Sequence, residues 1–127
     1  MRCVIRRSAV GMTILVLSTA AVAAQDSKQV SEGEALYKEY CVMCHGADGR
    51  GGAGYGNPIW GQGAQIRKFK DAGGLFAYNQ LLMPFNDPGL LNDEQKWTVV
   101  VYILANHNVV RRDETVDPQR AHTISIP

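Results

Sequence analysis

Cys41-Val42-Met43-Cys44-His45 is the stretch that decides how this chain folds. Two cysteines stand three apart and a histidine follows at once, the C-x-x-C-H spacing of covalent haem attachment. In helical geometry residues three and four apart share a face, so both sulfurs meet one edge of a ligand while the imidazole turns toward its centre. A closed zinc site would need four ligands, and no second Cys/His pair with usable spacing is present. A thioredoxin-like redox pair would sit beside a βαβ pattern, which the chain lacks. The motif therefore predicts one haem c, joined to Cys41 and Cys44, with His45 as an iron ligand.

The sixth iron ligand is sought by elimination. Met43 lies inside the attachment loop, on the His45 side of the haem plane. His107 falls at the end of a predicted helix and His122 in the tail, where both read as solvated surface residues. Met83 stands 38 residues past His45, between Leu82 and Pro84. That length of chain can wrap a macrocycle, so Met83 is the expected far-side ligand. The alternative is a core methionine at a helix end. Met/His ligation raises the reduction potential and leaves no open position on the iron, which points to electron transfer rather than catalysis.

Three helices are readable around the motif. The first runs from about Ser31 into the Cys41 region, with Ser31 and Glu34 spaced as a capping box. A Gly-rich loop follows from Gly46 to about Gln65. The second helix spans roughly Ala72 to Leu82, weakened by Gly73 and Gly74 and stopped at Met83, since Pro84 disfavours helical geometry in the residue before it. The third runs from about Asp93 to Asn106, with Asn92 as N-cap and Asp93 and Glu94 in the first turn. Its Val99-Val100-Val101-Tyr102-Ile103 run reads locally as a strand. Length and the cap decide for helix. The tail, residues 109–127, reads as extended or disordered.

The 127 residues amount to one domain, and the first two dozen are expected to stand apart from it. Arg2, Arg6 and Arg7 precede an apolar stretch from Ala9 to Leu17, and Ala21-Val22-Ala23-Ala24 supplies small residues for cleavage. This is the pattern of a signal peptide over residues 1–24, with the mature chain starting at Gln25. The apolar stretch falls short of the roughly 20 residues that span a bilayer. No stable membrane span is therefore expected after cleavage. Cys3 lies ahead of the apolar stretch and leaves with the peptide. Of thirteen Lys and Arg, removing those three arginines leaves ten against twelve Asp and Glu, a formal charge of −2. Such a chain is a poor nucleic-acid binder, because duplex affinity rests on cationic contacts to phosphate. A mature domain of about a hundred residues has limited buried surface. Ten of the thirteen glycines, crowded between Gly46 and Gly74, likewise suit a chain packed around a prosthetic group.

From Ser31 to Asn106 the sequence resembles the class I c-type cytochromes. Gly33 and Tyr37, eight and four residues before Cys41, match the pattern of that family's first helix, and Val99 and Tyr102 match its last. The resemblance implies an all-α fold, three main helices and Gly-rich loops wrapped around one covalent haem. It also implies that the carbonyl of Pro58 accepts the Nδ1 proton of His45. Trp60 would lie against the haem or serve as a core aromatic; both readings stay open. Leu82-Met83-Pro84-Phe85-Asn86-Asp87-Pro88 and Tyr102-Ile103-Leu104 are similar to the cytochrome subunits and domains of sulfite and related sulfur-compound dehydrogenases.

These readings lead to an exported, periplasmic electron shuttle or electron-accepting subunit. It takes single electrons from a dehydrogenase and passes them toward an oxidase or another cytochrome. A haem enzyme or gas-binding protein would need an open sixth position, and a structural subunit would keep its haem only for stability. Arg67, Lys68 and Lys70 form a short basic run before the second helix, read either as a solvated charge run or as a steering patch for an acidic partner.

Overall fold

The computed structural model describes residues 24–127. Four α-helices carry the fold: α1 (Lys28–Tyr40), α2 (Val42–His45), α3 (Ala72–Leu82) and α4 (Asp93–Asn106), with short 3-10 turns at Gln65–Phe69 and Pro118–Thr123. Among the described residues the only β pairing is an isolated antiparallel bridge between Asp71 and Ser125. The all-α architecture expected from the sequence is therefore the one observed.

Helix α1 begins one turn before the expected Ser31. Ser27 has extended backbone and its hydroxyl accepts the Val30 N–H at 3.1 Å, satisfying a donor the first turn leaves free. The earlier start lays Val30 into the core, fully buried. Ser31 is an exposed helical residue, and Glu34 pairs instead with Lys38 at 2.8 Å, one turn along.

Helix α3 has the boundaries the sequence suggests. Asp71 caps it by accepting the Gly74 N–H at 2.8 Å, and Met83 leaves the helix with φ −120° and ψ 141° ahead of Pro84. Its two glycines, unfavourable for the helix, answer to packing: a Cβ on Gly73 would collide with the His122 ring, and one on Gly74 would meet the Phe69 carbonyl oxygen at 2.5 Å.

In α4 the cap is a reciprocal capping box, the Asn92 side chain accepting the Gln95 N–H and the Gln95 side chain accepting the Asn92 N–H. Every residue from Lys96 to Ala105 is buried, because α1, α3 and the chain tail pack around the helix. Burial explains the strand-like valine run: β-branched side chains fill a crowded core, and the tertiary packing overrides their local preference. Gly33 is where α1 crosses α4. A Cβ there would strike the Thr98 carbonyl oxygen and come within 2.7 Å of Tyr102 Cβ.

The tail, residues 109–127, carries no α-helix and is tied to the core at a few points rather than disordered. Gln29 of α1 donates to the Val116 carbonyl at 3.1 Å and accepts the Val116 N–H at 2.8 Å, while Trp97 Nε1 donates to that carbonyl at 2.8 Å. Farther on, the Ala72 N–H reaches the Ile124 carbonyl at 2.9 Å and the Ile126 N–H reaches the Lys70 carbonyl at 2.7 Å. Val116, Ala121 and Ile126 belong to the core. The signal expected over residues 1–24 lies, apart from the exposed Ala24, outside the described residues. Among the described residues no helix is long and apolar enough to cross a membrane.

Candidate haem site

The attachment motif is built by two short helices meeting at Cys41. That residue ends α1, its N–H bonded to the Tyr37 carbonyl at 2.9 Å, and opens the single turn of α2. Gly46 then reverses the chain at φ 76°, a conformation that favours glycine. The loop beyond folds back tightly on the motif. The Tyr55 N–H donates to the Cys44 carbonyl at 3.0 Å, and a Cβ on Gly54 would lie 2.5 Å from Cys44 Sγ.

Cys41, Cys44 and His45 line one cleft of ≈590 Å³, and Met83 lines the same cleft from the end of α3. That volume lies within the roughly 300–1,000 Å³ common for cofactor sites. The walls are mostly apolar: Ile59, Ile66, Phe69, Leu75, Val99 and Ile103 contribute, with Tyr37, Tyr55 and Tyr78 adding aromatic surface. Met43 stands at the rim, 81% exposed. His107 and His122 are not part of the cleft. His122 is exposed, its Nδ1 3.3 Å from Asp71. His107 corrects the expectation of a solvated residue, since it is half-buried and its Nδ1 accepts the Gly61 N–H at 2.9 Å.

The residues fit a haem. His45 lines the cleft, and its buried Nδ1 is an orphaned polar atom with no hydrogen-bond partner. Burial lowers the His45 pKa and favours the neutral imidazole, the form that binds a metal. Burial and the neighbouring Cys44 push the Cys41 thiol up to about 12. No three His, Cys, Asp or Glu side chains among the described residues converge to hold a metal ion by themselves. Haem c held here would supply a one-electron iron couple.

Pro58 and Trp60 lie in the loop that follows the motif. The Pro58 carbonyl accepts the Gln65 N–H at 3.0 Å, and the His45 Nδ1 it was expected to serve is the unpartnered atom. The His45 ring is steadied instead by Tyr55, edge-on with centroids 5.2 Å apart. Trp60 does not line the cleft. It is a core aromatic, 5.0 Å from Tyr37 and 5.8 Å from Tyr102 between ring centroids, with Gly49 pressed against its indole. The sequence reading missed Tyr55 and Asn79. Tyr55 had a signal, being an aromatic within a Gly-rich loop. Asn79 lines the cleft, 8% exposed, its Nδ2 bonded to the Leu75 carbonyl at 2.9 Å, and nothing in its local sequence sets it apart.

Residues 28–103 match the family described as cytochrome c oxidase, cbb3-type, subunit III. Two thiosulfate dehydrogenases are similar. That of Allochromatium vinosum is 33% identical over 95 residues, covering 67% of this chain and 34% of the relative. That of Stutzerimonas stutzeri is 33% identical over 88 residues, covering 62% and 28%. The chain thus spans about a third of the length of the curated relatives it matches. Among solved structures, the sulfane dehydrogenase SoxCD of Paracoccus pantotrophus aligns with a TM-score of 0.61 at 20% identity, over 77% of this chain and 53% of that one, a likeness of fold. Motif, cleft and match over residues 28–103 converge: the chain belongs to the cytochrome c oxidase, cbb3-type, subunit III family, as a c-type cytochrome domain that binds haem c covalently.

Proposed function

We propose that this chain is a periplasmic single-electron carrier, or the electron-accepting subunit of a dehydrogenase acting on sulfite or a related sulfur compound. Its haem iron is low-spin, with His45 and Met83 as axial ligands. The observation that carries the reading is the shared cleft: the attachment motif and Met83 line it together, whereas His107 and His122 lie outside it. A filled sixth position suits outer-sphere electron transfer and raises the potential. Kinship with the thiosulfate dehydrogenases supports the sulfur-compound pathway. The signal pattern around Arg2, Arg6 and Arg7 supports export, to be checked by sequencing the N-terminus of the mature protein.

The names of those relatives favour a second reading, in which the domain belongs to an enzyme with an open or exchangeable sixth position. An absorption spectrum separates the two. The ferric protein should show the weak Met-to-iron charge-transfer band near the red end of the visible range, and Met83→Ala should abolish it, lower the potential and admit small exogenous ligands. A high-spin native spectrum, or a band that survives the substitution, would defeat the His45/Met83 assignment. Met43→Ala, at the rim, should change neither property.

A further inference from the structure

We propose that Lys96 is a positioning residue for Met83, clamping both ends of the segment that carries it. Lys96 is 4% exposed, and its Nζ donates to the Gln80 carbonyl at 2.7 Å and to the Pro88 carbonyl at 2.6 Å. Those two carbonyls flank residues 81–87. Gln80 lies in the last turn of α3, where its carbonyl would ordinarily accept the N–H four residues on. That residue is Pro84, which has none. The proline that ends the helix thus orphans this carbonyl, and the lysine of a neighbouring helix supplies the missing donor. A cation is also favourable at a helix C-terminus.

Two further observations make this more than a satisfied helix end. The segment between the clamped carbonyls leaves α3 at Met83, and its own backbone bonds, the Met83 N–H to the Asn79 carbonyl at 3.1 Å and the Asp87 N–H to the Pro84 carbonyl at 3.0 Å, are local and do not tie it to α4. Both ends are tied to a single atom of α4, the helix whose residues from Lys96 to Ala105 are all buried. A buried ammonium without a carboxylate partner is unfavourable in itself, and a methionine would fill the same space. What the lysine adds is a bond to each end of the segment.

The proposal rests on Met83 as the iron ligand, and the experiment separates the two ideas. Ferric holoprotein is titrated with imidazole, a competitor for the sixth position, while the charge-transfer band is followed. Lys96→Met should raise the apparent imidazole affinity about tenfold, the scale on which hydrogen bonds from a charged donor contribute. The band should also disappear at lower pH than in the native protein. Lys96→Gln keeps a shorter donor and should fall between, and it is read on its own if the Met variant yields no holoprotein. Val100→Ala, a buried truncation in the same helix whose side chain has no donor for either carbonyl, controls for lost stability and should leave imidazole affinity near native. Native affinity in the Lys96 variants, or an equal rise in Val100→Ala, overturns the positioning role while leaving Met83 in place. Absence of the band from the native protein sinks the Met83 assignment, and the clamp with it.

Discussion

Tyr37 donates its hydroxyl to the carbonyl of Gly46 at 2.8 Å, tying α1 to the residue that follows His45. Burial raises the Tyr37 pKa well above the usual phenol range, so the group remains a donor at all working pH. Its ring meanwhile packs on Trp60 and Tyr102. Tyr37→Phe keeps that packing and removes the bond. The holoprotein should lose about 1 kcal/mol of stability in urea unfolding, with an unchanged slope. An unchanged midpoint would mean the bond contributes nothing net.

Trp60 tests whether the cleft ends where its lining residues say. Because the indole sits in the aromatic cluster behind the cleft, Trp60→Phe should leave the visible spectrum and potential of the holoprotein unchanged while its unfolding midpoint falls. Truncation to Ala should cost about 3–5 kcal/mol. A shifted charge-transfer band in the Phe variant would return Trp60 to the haem's surroundings.

His107 gives the fold a pH dependence of predictable sign. Its pKa is lowered, first by burial and then by the charge of Arg67, and its Nδ1 must be unprotonated to accept the Gly61 N–H. A folded value below the unfolded 6.5 means the unfolded chain binds more protons in that window. The stabilisation is therefore present above 6.5 and lost as pH falls through the folded value. Urea midpoints at pH 5 and pH 7.5 should differ by less in His107→Gln than in the native protein. An equal difference would assign the acid sensitivity elsewhere.

The basic run tests partner docking. Lys68 lines the cleft, and Arg67 and Lys70 are exposed beside it. If these cations steer an acidic redox partner, electron-transfer rates with the cognate dehydrogenase should fall as salt rises from low to moderate ionic strength. Changing all three residues to Gln should lower the low-salt rate and flatten its salt dependence. Rates indifferent to both would leave the apolar rim around Phe85 as the contact surface.

Much of this protein could be read without coordinates because the deciding signals are local. Cys41, Cys44 and His45 declare a haem by spacing alone. Asn92 and Pro84 mark helix ends through the chemistry of their own backbone neighbourhoods, and α3 and α4 lie where those signals put them. Met83 was singled out by elimination, an argument that needs only chain order, and it lines the cleft with the motif. Local signals can also mislead: Ser31 was the expected cap, whereas Ser27 accepts the Val30 N–H and the helix starts a turn earlier.

Tertiary structure alone decided everything that depends on distant segments meeting. The tail holds no periodic pattern, yet Gln29 and Trp97, both far from it in sequence, bind the two backbone groups of Val116 and bring it into the core. Pro58 and Trp60 carry the right residue types at the expected positions. Where the carbonyl of one and the ring of the other point is set by Gln65, Gly49 and Tyr102. Lys96 looks in sequence like any solvated lysine near a helix start, and only the approach of Gln80 and Pro88 makes it a buried clamp. Spacing along a chain specifies which atoms can share a face, whereas packing between elements determines which hydrogen-bonding groups are left without water and must find one another.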